Sequence, residues 1–188
     1  MQVQNSIQDE RSNTGDCGST LTSYQIKGPW RGQLSIVPRP RGGEWLEDEV
    51  RFWKAASFDV VVSLLTKDEL DEFDLGAEAD LISAHGLQFC EFPIPDLGVP
   101  KSMATARKLI HKLRDELEAG KKIAIHCRQG IGRSGLIAAG MLVVSGVEPE
   151  FAIRRVSAAR GLPVPETPEQ RDWVLELARE CAASLVKG

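Results

Sequence analysis

The sequence predicts an α/β fold: a single domain with a central, mostly parallel sheet flanked by helices. Three observations carry that expectation. Short apolar, β-branched runs recur along the chain, and segments with helical periodicity separate them. Gly and Pro residues mark the changeovers. The length, 188 residues, suits one domain with a sizeable core.

Residues 1–22 are rich in Ser, Asn, Gln, Asp and Gly and poor in apolar side chains. That composition predicts a flexible tail, or a regulatory arm carrying Cys17, ahead of a domain over residues 23–188. Leu34–Val37 reads as a short strand, stopped by Pro38 and Pro40. Trp45–Ala56 reads as a helix with Leu46, Val50 and Trp53 on one face. The continuous apolar run Phe58–Leu65 predicts a strand buried on both sides. Thr66 is placed to cap a helix over Lys67–Phe73, with Glu69 completing a capping box. Ala77–His85 is a second short helix ended by Gly86, and Leu87–Ile94 the next strand. Met103, Ala106, Ile110, Leu113 and Leu117 form an apolar stripe on a helix that Ser102 can cap and Gly120 ends. Lys121–Ile125 follows as a strand. Helical runs then occupy Gly132–Val144, Pro149–Ala159 and Pro168–Leu185, enough to cover one face of a sheet. Trp45, Trp53 and Trp173 fall on helical patterns and are assigned to packing.

Bulk properties exclude several classes. Hydrophobic residues make up 42% and charged residues 27%, ordinary for a globular protein, and the net charge of −4 gives no reason to expect nucleic acid as a partner. No apolar run reaches the roughly 18 residues that span a bilayer, so no membrane insertion is expected. The N-terminus lacks the basic-then-apolar pattern of an export signal. Cys17, Cys90, Cys127 and Cys181 show no paired short spacing, and His85, His111 and His126 no ligand spacing, so no metal or other cofactor is expected. A reduced, cytoplasmic setting follows. Cys90 and Cys181 sit in apolar patterns and read as small buried hydrophobes. Oligomeric state stays open.

The segment that carries chemistry is His126-Cys-Arg-Gln-Gly-Ile-Gly-Arg-Ser-Gly135. It ends a strand, curls through Arg128, Gln129, Gly130, Ile131 and Gly132, and starts a helix near Gly132 whose first turn carries Arg133. Backbone N–H groups at such a turn, together with the helix N-terminus, make an anion site. Free thiols have a pKa near about 8.5, so a reactive cysteine needs such positive surroundings. Cys127 is therefore placed as a nucleophile and Arg133 as a fork onto two phosphoryl oxygens. Ser134 can donate to the thiolate, and His126 can orient the cysteine through hydrogen bonds. Asp96, on the Pro- and Gly-bounded loop Phe92–Pro100, suits a general acid, or it is a turn former. Gln170, in Pro165-Glu-Thr-Pro-Glu-Gln170, either orients a water or is an ordinary first-turn helix residue. Arg128 faces solvent or substrate charge, and Arg39 and Arg41 are a solvated loop that could border the site.

His126–Gly135 resembles the signature of the cysteine-based protein tyrosine phosphatase superfamily: histidine, cysteine, five residues, arginine, then serine or threonine. The chain is similar to the compact dual-specificity branch in size, in the aspartate loop and in the Thr-Pro-Glu-Gln element, over roughly residues 33–183. The resemblance implies a phosphate-binding loop between a strand and a helix, no metal, and hydrolysis of phosphotyrosine, with phosphoserine or phosphothreonine also in scope, through a phosphocysteine. It implies Cys127 as nucleophile, Arg133 as phosphate binder, Asp96 as general acid, Ser134 as an aid to intermediate breakdown, and a phosphorylated protein or peptide as partner. Phosphoinositide phosphatases of the superfamily often carry two basic residues inside the loop; here Arg128 fills one position and Ile131 replaces the other. A non-protein substrate (a phosphoinositide, an inositol phosphate or an RNA 5′ phosphate) is the alternative, with a phosphate-binding pseudophosphatase behind it.

Overall fold

The computed structural model describes residues 22–186. The tail expected over residues 1–22, with Cys17, lies outside the described residues except for residue 22. Among the described residues five strands form one sheet in the order β1-β2-β5-β3-β4. They are β1 (Tyr24–Ile26), β2 (Gln33–Ile36), β3 (Val60–Ser63), β4 (Gln88–Glu91) and β5 (Lys122–His126). Only the β1–β2 pair is antiparallel; β2–β5, β5–β3 and β3–β4 run parallel. The expected mostly parallel sheet is therefore present. β1 is an addition that the sequence patterning missed, because three residues beside a polar segment are too short to show alternation.

Among the described residues seven helices cover the sheet: α1 (Leu46–Ala55), α2 (Lys67–Glu72), α3 (Glu78–Ala84), α4 (Met103–Glu118), α5 (Gly132–Val144), α6 (Pro149–Arg160) and α7 (Pro168–Val186). Buried residues of α1 and α3, with Leu75 between α2 and α3, pack with Val61 and Ala124 on one face. The late helices α4 to α7 supply the larger core on the other, against Leu34, Ile36, Val60, Val62, Ile123 and Ile125. Val60–Ser63 is buried at every position, as a strand covered on both faces must be.

Local signals set the boundaries. Thr66 accepts from the Glu69 N–H while the Glu69 carboxylate accepts from the Thr66 N–H, which is the expected capping box at the start of α2. Ser102 Oγ caps α4 by accepting from Thr105 N–H. Gly161 takes a left-handed φ of 72° and ends α6. Two packing expectations need correction. Trp45 is 49% exposed, since it stands in a 3-10 turn (Gly43–Trp45) ahead of α1 and the Arg41 guanidinium lies over its ring instead of core. Cys90 and Cys181 are half-buried, because β4 is an edge strand and Cys181 lies at the margin of the α7 packing face.

Two features position the site. β5 lies between β2 and β3, so the chain leaving its C-terminal end emerges at the centre of the parallel sheet, where strand order reverses. α5, which starts there, is buried from Gly132 to Val143 and is the central helix of its layer. Gly140 lets α4 and α7 close on it: a Cβ added there would sit 3.0 Å from Ile110 Cδ1 and 3.1 Å from Leu177 Cδ2. Gly140→Val should overpack this contact and cost about 2 kcal/mol, read as a lower urea midpoint with unchanged slope.

Candidate active site

Residues 127–131 form the loop between β5 and α5. Cys127 is 2% exposed at its base. Gly130 has φ of +65°, and a Cβ there would meet Ile36 Cγ2 at 3.1 Å and the Val37 carbonyl at 3.2 Å, so both conformation and space call for glycine. Arg160, at the end of α6, donates from Nε to the Gly130 carbonyl (2.5 Å) and from Nη2 to the Gln129 carbonyl (3.5 Å). Its guanidinium rests 3.7 Å over the Tyr24 ring of β1. Planar trans peptides put N–H opposite C=O, so carbonyls held by Arg160 turn their amide edges away from it. The N–H groups of residues 128–131 have no acceptor among the described residues, the condition for an anion nest.

Arg133 stands in the first turn of α5, 1% exposed. Nη1 donates to Glu69 Oε2 (2.7 Å) and to the Ile94 carbonyl (2.9 Å), and Nη2 donates to Glu69 Oε1 (2.8 Å). This fork-on-fork pair fixes the guanidinium plane. Asp96 Oδ1 makes an ion contact with Nη2 at 2.9 Å. Burial pushes the Glu69 carboxyl upward, but the hydrogen bonds from Arg133 and Thr66 and the Arg133 charge outweigh it and hold Glu69 below the usual carboxylate range. Burial likewise opposes the Arg133 charge, and Glu69, Cys127 and Asp96 more than offset it.

The other expected residues gather around this centre. Ser134 Oγ is buried with no hydrogen-bond partner among the described residues, so no acceptor competes for its proton. His126 is fully buried; its Nε2 lies 2.9 Å from Glu78 Oε1, a close contact without hydrogen-bond geometry, and its ring lies 5.8 Å from that of Trp53. Gln170 is fully buried. Its Oε1 accepts from the Glu166 and Thr167 N–H groups, and its Nε2 donates to the Gly98 carbonyl in the Asp96 loop (3.0 Å). That side chain is a tie between two loops. Arg128 is half-buried and donates to Glu72 at 3.2 and 3.5 Å. Asp96, Cys127, Arg128, Gln129, Ile131, Gly132 and Arg133 share one cleft of about 70 Å³ with Leu97 and Glu166.

Four side chains that build this centre were given no part in it by the sequence. Glu69 was read only as a helix cap, and Arg160, just past the expected helix Pro149–Ala159, was given no reading. Glu166 was visible beside Gln170 but not singled out. Glu78 carried no signal, because a carboxylate in the first turn of a short helix is ordinary.

The arrangement has known counterparts. A family model described as "Tc-R-P: Polymorphic toxin system, DSP-PTPase phosphatase" matches residues 37–147, more than half of the chain. The chain belongs to the dual-specificity branch of the cysteine-based tyrosine phosphatases. Cyclin-dependent kinase inhibitor 3 of Sus scrofa is 31% identical over 134 residues, and that of Homo sapiens 29%. The Sus scrofa match covers 70% of this dual-specificity member and 63% of the relative, so the chain spans less than two thirds of these curated relatives. Among solved structures, kinase associated phosphatase aligns with a TM-score of 0.80 at 22% identity, covering 87% of this chain and 97% of that one. Tk-PTP in its active form aligns with a TM-score of 0.68 at 27% identity, covering 84% and 96%.

Glu69→Gln takes the bidentate carboxylate from buried Arg133, leaving the half-exposed Asp96 as the carboxylate beside it, and should cost about 3 kcal/mol at pH 7. A carboxylate held low in the folded state stabilises only where it is ionised. The gap between wild type and variant is therefore full at neutral pH, above the unfolded value of about 4.3, and closes as pH falls through the lowered folded value. Thermal melts of both proteins across that range measure it.

Proposed function

We propose that this chain is a cysteine-dependent phosphatase that hydrolyses phosphotyrosine, and phosphoserine or phosphothreonine, on protein or peptide substrates. The observation that carries the reading is the convergence of Cys127, the unpaired loop N–H groups, the clamped Arg133 fork and the Asp96 carboxylate on one cleft. Kinship with proteins named for kinase association and kinase inhibition supports a protein substrate.

In the first step the Cys127 thiolate attacks phosphorus in line. The S–P bond forms, the P–O bond to the leaving group breaks, and Asp96 gives its proton to the departing oxygen. The loop N–H groups and Arg133 hold the equatorial oxygens. Glu69 and the Ile94 carbonyl occupy both Nη1 hydrogens and one on Nη2, which leaves Nε–H and one Nη2–H for the phosphate. Asp96 sits at that Nη2. An arriving phosphate therefore displaces the Asp96 carboxylate from Arg133, and Asp96, once it has taken a proton from solvent, acts on the leaving group. In the second step water attacks phosphorus, the S–P bond breaks, and the Asp96 carboxylate takes the water proton. Ser134 donates to the returning thiolate, and the remaining Nε2–H of Gln170 is available to the water. His126 lies buried beneath the loop with neither ring nitrogen in a hydrogen bond among the described residues, so the expected orienting hydrogen bond to the cysteine is not drawn.

Among the described residues no helix is long and apolar enough to cross a membrane, and no group of three or more His, Cys, Asp or Glu could hold a metal ion. The mechanism itself calls for no metal. A nucleophilic thiol has to stay reduced, which supports a cytoplasmic setting.

Cys127→Ser should abolish turnover of a phosphotyrosine peptide while keeping its binding, read by fluorescence anisotropy; full activity in the variant would remove Cys127 as nucleophile. Asp96→Asn should slow hydrolysis by about 10² to 10⁴ for alkyl phosphates and much less for p-nitrophenyl phosphate, whose leaving group needs no proton. A uniform loss across leaving groups would assign the proton to another residue.

A further inference from the structure

We infer that the open edge of β1 and the exposed flank of α6 form a docking groove for an extended, acidic segment of a partner protein, which adds to the sheet as a further strand. The groove shares no lining residue with the cleft, and its occupancy does not depend on the phosphatase reading.

The backbone defines the edge. Gln33 and Val37 donate their N–H groups to the Lys121 and Ile125 carbonyls, so alternate residues of β2 turn to β5, while Leu34 and Ile36 turn to β1. Their partners in β1 are Ile26 and Tyr24. Gln25, between these two, therefore directs its N–H and C=O out of the sheet, where no further strand stands beside β1 among the described residues. Lys27 follows in the same alternation. Its carbonyl accepts from Arg155 Nη1 at 3.0 Å, and its N–H meets no backbone acceptor among the described residues. These two outward-facing residues, Gln25 and Lys27, line a groove of about 450 Å³ with Gly28 and with Arg155, Ala158 and Ala159 of α6. An unpaired edge is a template for another chain, and a helix alongside it gives that chain's side chains a wall.

The side chains set what the groove accepts. Ala158 and Ala159 keep the helix wall low. Phe151, 46% exposed, continues the same stripe of α6 beneath the Arg154 and Arg155 guanidinium groups. Residues 22–43 contain Lys27, Arg31, Arg39 and Arg41 and no Asp or Glu. The carboxylates at the start of α6 are engaged: Glu150 pairs with Arg171 at 2.6 Å, and Glu148 caps the helix by accepting from the Glu150 and Phe151 N–H groups, next to the Arg154 charge. Lys27 and Arg155 thus face the groove with no carboxylate partner among the described residues. A second copy docked edge to edge would bring one cationic patch onto another, so the charge favours a foreign acidic strand. A segment with a carboxylate at every second position meets both demands, because its backbone pairs with Gln25 and Lys27 while its side chains on one face reach Lys27 and Arg155.

The probe is a short fluorescein-labelled peptide of alternating Val and Glu, titrated with the full chain and read by anisotropy. Lys in place of Glu, or a central Pro, should weaken binding by about tenfold or more. Gln25→Pro removes the outward N–H while Tyr24 and Ile26 keep their bonds to β2, and it should weaken binding equally. Ala158→Trp fills the groove from an exposed helix position and carries the same expectation without touching β1; full binding by that variant overturns the groove. Lys27→Glu should bring the preference for the acidic over the basic peptide to near one. Residue-resolved amide exchange supplies the signature of strand addition: the peptide should slow Gln25 and Lys27 by about tenfold and leave Tyr24 and Ile26 unchanged. No binding, equal affinity for acidic and basic peptides, or slowing spread over all four amides overturns the proposal. Protection of Gln25 and Lys27 in the free protein also overturns the partner segment. It assigns the edge to the chain's own N-terminal segment where protection is independent of concentration, and to a second copy where it rises with concentration.

Discussion

A buried guanidinium needs its counter-charge built with it, and most of the candidate site follows from how Arg133 meets that need. Arg133 is almost fully enclosed at the head of α5, where only a carboxylate of the right height could complete its fork. Glu69 supplies it from α2, and the same carboxylate accepts the Thr66 N–H that starts α2. Helix initiation on one side of the sheet and arginine orientation at its edge are thus one hydrogen-bond system. The strand order makes this possible: β3 delivers α2 on one side of β5, and β2 delivers the segment that backs Gly130 on the other.

The loop itself depends on contacts far away in sequence. Its carbonyls are held by Arg160 from α6, and Arg160 is seated on Tyr24 from the edge strand. An antiparallel strand of three residues therefore contributes to the shape of an anion site four strands away in chain order. A network of this kind is rigid only when each member is satisfied.

Much of the fold was legible because local and global signals agree. The helical span Gly132–Val144, the capping box at Thr66 and Glu69, and the Ser102 cap could all be read from spacing and residue type. The cleft's central residues were legible for another reason: thiol, glycines and arginine lie within one short stretch, where the geometry is set by a single turn. Glu69, Glu78 and Arg160 were not legible as site residues. Each meets its partner across the sheet or from a distant helix, and a single sequence has no periodicity that records such contacts. Trp45 failed for a related reason, since a residue just ahead of a helix shares its pattern but not its face.

The loop bearing Asp96 is fastened at two successive carbonyls: Thr167 Oγ1 donates to Leu97 and Gln170 Nε2 to Gly98. Gln170 is in turn locked by the amides just ahead of α7. The Asp96 loop and the start of α7 are therefore one hydrogen-bonded unit. Its ordering entropy is charged once, to folding, and does not recur with each substrate. Where Asp96 stands is thus set by residues some 70 positions further along the chain.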